Sequence, residues 1–249
     1  MNRLGKSLLA SAFVVGLASC GGGDTEARLD VADPAVRFIH ASPLAPNQTL
    51  YRADVAQSDA TNVPYTFASN YFDINMGAAD WQVKTAPGAL LVGTMPIDPQ
   101  RGTKYTIVAL PASATESSTY LIADPYNKAL TSDSTRLRVV NASFNASSVD
   151  LYMNGVGTDI AGVNPLIAAT AYKTSGPASG SDSVDIPAGT WQLTITAAGT
   201  KTVLFKGQLS FGANKDILLL SVPAFVPAGD IKMLMKIEGT AGTAEVPAS

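Results

Sequence analysis

The chain has 249 residues, 15% of them charged and 46% hydrophobic, with 17 basic against 20 acidic side chains and a net charge of −3. It contains no run of basic residues, which excludes the electrostatic footprint of a nucleic-acid binder. Its one cysteine excludes a disulfide framework, so the body must rely on hydrophobic cores, with length enough for two modest domains.

Residues 1–19 have the anatomy of an export signal. Arg3 and Lys6 give a positive start, Leu8 to Leu17 form a short apolar stretch, and Ala18 and Ser19 are small residues before a cut. The run Leu17-Ala18-Ser19-Cys20 has the form of a lipobox, and Gly21-Gly22-Gly23-Asp24 follows it. An ordinary signal peptide is the alternative, but it leaves a lone thiol in an oxidising compartment. Cys20 is therefore expected to carry a diacylglyceryl group on sulfur and a third acyl chain, such as palmitate, on its freed amine. Each buried methylene contributes about 0.8 kcal/mol, so two or three chains make a firm membrane anchor. By resemblance to Gram-negative lipoprotein sorting, Gly21 after the cysteine implies the outer membrane, facing the periplasm or the cell surface. Residues 20–34 read as the lipidated cysteine and a flexible tether. No later apolar run is long enough for a membrane-spanning helix.

From there the sequence repeats itself. Val36-Arg37-Phe38-Ile39-His40-Ala41-Ser42 matches Leu137-Arg138-Val139-Val140-Asn141-Ala142-Ser143, and Leu50-Tyr51 matches Leu151-Tyr152. Phe72-Asp73-Ile74 answers Val184-Asp185-Ile186, and Trp81-Gln82-Val83 pairs with Trp191-Gln192-Leu193. Lys104 to Val108 corresponds to Lys215 to Leu219. Alternation of apolar and polar residues, as in Trp191 to Thr196, predicts strands with one packed face. Asn154-Gly155, Pro187-Ala188-Gly189 and Ala198-Gly199 mark turns. No helical stripe of ordinary length exists, only room for a short turn near Leu166 to Tyr172. The expected fold is all-β: two tandem immunoglobulin-like or transthyretin-like β-sandwich domains, 35–128 and 133–238, with a disordered tail at 239–249.

The Val36 to Pro43 block, Leu50-Tyr51 and the Pro187-Ala188-Gly189-Thr190-Trp191 turn resemble the bacterial family called domain of unknown function 4397. The resemblance covers nearly all of 35–238 in two copies and implies an exported or lipid-anchored β module. It supplies no reaction and no catalytic residues. The second copy departs from the first with Asn141 for His40 and Phe144 for Pro43.

His40 is the only histidine, so one chain cannot build a histidine-cluster metal site. As a general base it needs a nucleophile, such as Ser42, and an orienting carboxylate. Asn141 at the matching position cannot shuttle protons but can make comparable hydrogen bonds, so both residues are expected to pin a strand-to-loop corner. Ser42 and Ser143 are expected to bond locally to backbone. Asp73 and Asp185 are expected to point outward from their strands, with no calcium-loop pattern around them. Trp81 and Trp191, in matched positions, are expected to be core side chains, with a sugar-stacking platform as the alternative. His40, Asn141, Trp81 and Trp191 are thus the candidate ligand contacts, and neither metal nor cofactor is expected. Residues 154–183 form either a slack insertion or a binding loop. The expected function is that of a lipid-anchored, non-catalytic envelope module that contacts a protein or glycan. A hydrolase or metal-dependent enzyme using His40, and a carbohydrate-binding protein, are the alternatives.

Overall fold

A computed structural model describes residues 33–86, 88–113, 115–126, 132–225 and 231–249. The expected signal segment, Cys20 and nearly all of the tether lie outside the described residues, as do 127–131 in the join between the halves. The described chain is all-β, with one short 3-10 turn at Ser58–Ala60.

The first half contains β1 (Ala35–His40), β2 (Gln48–Arg52), β3 (Val55–Ala56), β4 (Phe72–Asp73), β5 (Ala79–Thr85), β6 (Leu91–Ile97), β7 (Lys104–Pro111) and β8 (Ser117–Asp124). They form two sheets, ordered β4-β1-β7-β8 and β3-β2-β5-β6. The second half contains β9 (Ser134–Asn141), β10 (Ser148–Asn154), β11 (Ile167–Ala171), β12 (Thr174–Gly176), β13 (Val184–Pro187), β14 (Gly189–Ala197), β15 (Val203–Phe211), β16 (Asp216–Pro223), β17 (Ile231–Ile237) and β18 (Ala244–Glu245). One of its sheets is β11-β10-β14-β15; the other is β12-β9-β16-β17-β18, with β13 also paired to β9. Each half is thus a two-sheet sandwich with the same order of pairing. In both, the first strand runs parallel to a late one, β1 to β7 and β9 to β16.

Three apolar cores hold this together. One fills the first sandwich around Phe38, Leu50, Trp81, Val83 and Ile107. Another fills the second around Val139, Leu151, Leu193, Ile195 and Leu219. The third joins Ile39, Val108, Leu110 and Ile122 of the first half to Val140, Leu218, Leu220 and Leu234 of the second. The inner sheets therefore pack back to back and are covered on both faces. Continuous apolar runs result, Ile107 to Pro111 and Ile217 to Leu220, within the wholly buried stretches Tyr105 to Pro111 and Ile217 to Pro223. The outer strand β15 instead alternates buried and exposed residues, since its far face meets water.

Strand register corrects two of the matched blocks. Each outer sheet carries a bulge at one point of its central hairpin, after Val83 in one half and after Ile195 in the other. Leu50 pairs with Val83, and Leu151 pairs with Ile195. Val83 is thus equivalent to Ile195, and Trp81 to Leu193, so the two tryptophans are two residues out of step. On the inner sheets Ala35 pairs with Lys104 and Arg136 with Asp216, which makes Lys104 equivalent to Asp216, one residue beyond Lys215. The Phe72-Asp73 and Val184-Asp185 blocks do occupy equivalent positions against β1 and β9.

Two further expectations are overturned. Residues 239–249 are not a disordered tail. β18 pairs with β17, the Gly242 and Thr243 amides donate to Ala68 and Thr66 carbonyls, and Val246 is buried. Apolar burial of Val246 and the free edge of β17 hold the segment in place. The stretch 154–183 is not slack either. It supplies β11 where the sequence left room for at most a short turn, adds β12 to the inner sheet, and covers Arg138.

Candidate functional site

Histidine at the end of β1 is held by its own corner. The His40 backbone accepts from Thr66 N at 3.0 Å, and the Ser42 amide donates to His40 Nδ1 at 3.3 Å. An acceptor at Nδ1 leaves the ring proton on Nε2, which donates to the Pro46 carbonyl at 3.1 Å. The ring is fully buried, and burial pushes its pKa down to about 4, with the Pro46 hydrogen bond acting weakly the other way. The imidazole is neutral at pH 7, and both nitrogens are spent on backbone.

Asn141 repeats each of these bonds. Its backbone carbonyl accepts from Lys173 N at 2.9 Å, its Oδ1 accepts from Ser143 N at 3.2 Å, and its Nδ2 donates to the Ala146 carbonyl at 2.9 Å. The amide then makes two bonds that the ring does not. Nδ2 also donates to the Thr170 carbonyl at 3.1 Å, and the Ser221 hydroxyl donates to Oδ1 at 2.9 Å. Ser221 pairs with Asn141 in register, and Ala109 pairs with His40. A hydroxyl therefore stands beside the smaller side chain and a methyl beside the larger one.

Ser42 does not bond locally to backbone as expected. Its Oγ accepts from Ser117 Oγ at 2.8 Å, across to the start of β8, while Ser143 Oγ is buried without a hydrogen-bond partner among the described residues. No carboxylate is bonded to His40 or Ser42 among the described residues. Asp73 and Asp185 are both exposed, as their strand positions imply. No three metal-ligating side chains converge among the described residues.

The tryptophans have different surroundings. Trp81 is fully buried against Phe72, with ring centroids 6.3 Å apart. Trp191 is only partly buried, packs on the rim of the second core, and donates from Nε1 to the Pro187 carbonyl at 3.1 Å. His40, Asn141 and Trp81 are thus closed to solvent, and the four candidate residues do not converge on one site.

The polar cluster that does converge lies between the inner sheets. Arg136 bonds Asp124 at 2.8 Å and Asp216 at 3.2 Å, and Lys104 bonds Glu238 at 2.8 Å. Tyr126 donates to Asp216 at 3.1 Å, and the Lys104 ammonium sits 3.5 Å from the Tyr126 ring centre. Burial, reinforced by Asp216 and Glu238, pushes the Tyr126 phenol well above its ordinary range. Arg138 is buried under 154–183 and donates to the Pro177, Ala178 and Ser181 carbonyls. Arg37, equivalent to Arg138 in its strand, instead bonds Thr106 Oγ1 through Nε at 2.9 Å. The sequence held a signal for this cluster. A charged residue stands in mid-strand in both matched blocks, next to Ile39 and Val140, which mark the second face of the strand as buried too.

No curated protein matches the chain. Residues 34–152, from the start of β1 through Tyr152 in β10, match the model of the family described as Domain of unknown function (DUF4397), and the match supports that family.

Proposed function

We propose that the chain is a lipid-anchored, non-catalytic module of the cell envelope, built of two tandem copies of the family unit. It holds a protein or glycan partner through the loops at one end. The observation that carries this reading is polarity. The described chain enters at Asp33, at the start of β1, while the loop after His40 and the β5–β6 hairpin lie at the far end of the same sandwich. That far end exposes Leu44 and Leu90, which are 58% and 71% accessible. The pairs Lys104–Glu238 and Arg136–Asp124 join the halves at the end where β1 and β9 begin, and Tyr172 meets the Pro111 carbonyl at the end where those strands finish. The loop ends of both halves thus point the same way, opposite the anchor side. A partner-binding role agrees with loops carried on a rigid frame.

Two measurements test it. Cys20→Ser should move the protein from the membrane fraction to the soluble one, and unchanged partitioning would remove the anchor. A photo-reactive residue at Leu44 or Leu90 should capture a partner in living cells, whereas one at Val156, on the anchor side, should not. Equal capture at all three, or none, contradicts the loop-end reading. An enzyme using His40 is less well supported, because its two nitrogens are committed to backbone.

A further inference from the structure

A cavity of about 150 Å³ opens between the halves, lined by Arg37, Ser69, Asn70, Tyr71, Lys236 and Glu238. Arg37 comes from β1 and Lys236 from β17, one cation from each inner sheet. Both are buried, at 7% and 1% accessibility. Arg37 spends Nε on Thr106 and stacks its guanidinium 4.6 Å from the Tyr71 ring centre. Neither of its terminal nitrogens has a hydrogen-bond partner among the described residues. Lys236 donates to the Thr240 carbonyl and to no carboxylate. Ser69 Oγ accepts from Phe38 N at 2.9 Å, which leaves its hydrogen to give.

The one carboxylate on the wall does not balance these charges. Glu238 gives Oε1 to Lys104, while its Oε2 is buried with no partner. Among the described residues Arg37 and Lys236 thus form no ion pair of their own, and beside them stand a spare hydroxyl hydrogen on Ser69 and an unbonded carboxylate oxygen on Glu238. Buried like charges are costly unless something neutralises them. Burial pushes the Lys236 ammonium down to about 8, and the Arg37 charge acts in the same direction against a weaker pull from Glu238.

We propose that this cavity is a binding site for a small tetrahedral oxyanion that keeps one O–H, of the hydrogen phosphate class. Its negative oxygens accept from Arg37, Lys236 and Ser69, and its hydroxyl donates to Glu238 Oε2. The volume suits one such ion, and it is well below the several hundred Å³ of sites that take nucleotides or drug-sized ligands. Charge-assisted bonds to guanidinium and ammonium are the strong class of hydrogen bond. Bridging cations from both inner sheets, the ion also ties the two halves together.

The test uses the purified full chain at constant ionic strength, with inorganic phosphate, sulfate and dimethyl phosphate as probes. Phosphate should raise the melting temperature saturably. Sulfate, which lacks the O–H at neutral pH, and dimethyl phosphate, a stand-in for a lipid headgroup diester, should do so less well. Lys236→Met should weaken phosphate binding by about ten-fold or more, the equivalent of one charge-assisted bond. Lys206→Met, on the exposed face of β15, should leave binding unchanged. No saturable effect of phosphate, or full binding by Lys236→Met, overturns the site. Sulfate or the diester acting as well as phosphate overturns the part given to Glu238, and an equal diester response assigns the site to a headgroup. Should Lys236→Met fail to fold, phosphorus NMR of inorganic phosphate with the parent protein decides: exchange broadening supports the site, and none overturns it.

Discussion

The corners after β1 and β9 do one job with two different side chains. His40 and Asn141 each accept from the amide two residues on and donate to a carbonyl in the loop that follows. What the fold requires there is one acceptor and one donor at a fixed separation, and a titratable ring is only one way to supply them. The outer sheets differ in a similar way. Trp81 faces Met95 and Val83 faces Gly93 in one half, while Leu193 faces Gly207 and Ile195 faces Phe205 in the other. The bulk lost at one pair returns at its neighbour, as expected of close-packed cores that conserve volume more than identity. Both glycines also have close neighbours. A Cβ on Gly93 would lie 2.2 Å from Thr119 Oγ1, and one on Gly207 would lie 2.6 Å from the Pro247 carbonyl.

The sharpest way to break the likeness of the halves is to part them. Fragments 35–128 and 133–238 each uncover one wall of the third core, including Leu110 and Ile122 on one side and Leu218, Leu220 and Leu234 on the other. Burying a large aliphatic side chain is worth about 1.5–3 kcal/mol, and a whole domain is stable by only about 5–15 kcal/mol. The intact chain should unfold in one calorimetric transition, and the separate fragments should be unfolded or associate. Two independent transitions in the intact chain, each kept by its fragment, would show that the third core adds little. Next in size is the contrast between the tryptophans. Trp81→Ala should cost about 3–5 kcal/mol in urea unfolding, as large core truncations do. Trp191→Ala, on the rim, should cost about 1–2 kcal/mol. Equal losses would restore the equivalence that strand register denies.

Much of this was legible in the sequence, and the misses share a cause. Strands, turns and the corner role of His40 followed from period-two patterning and from the Asn141 comparison. Tryptophan identity does not mark equivalent positions, because the fold keeps volume and not residue type, and only the paired bulges reveal the two-residue offset. Period two places Val36, Phe38 and His40 together on one packed face of β1. The other face, carrying Arg37, Ile39 and Ala41, is buried as well, and the unbroken runs in β7 and β16 were the available sign of that. The ordered carboxy-terminal segment was hidden for a different reason. Its backbone partners, Thr66, Ala68, Met233 and Lys206, are distant in sequence, and local composition says nothing about them.

The corners can finally be exchanged. His40→Asn should change stability little at pH 7 and improve it in acid. A ring held near pKa 4 in the fold but near 6.5 when unfolded takes up its proton preferentially in the unfolded chain. Stability is therefore lost as pH falls from about 6.5 to about 4, by up to about 3 kcal/mol, and the asparagine variant should lack that share of the loss. Identical acid melting curves for parent and variant would mean that the ring is not paying for burial. The smallest effect belongs to Ser221. Ser221→Ala removes one buried donor to Asn141 Oδ1, which still accepts from Ser143 N, so about 1 kcal/mol is expected. Combined with Asn141→His it recreates the first corner, alanine beside imidazole, and should transfer the acid sensitivity to the second half. If Asn141→His alone is as stable as the pair, the space beside residue 221 is not what separates the two corners.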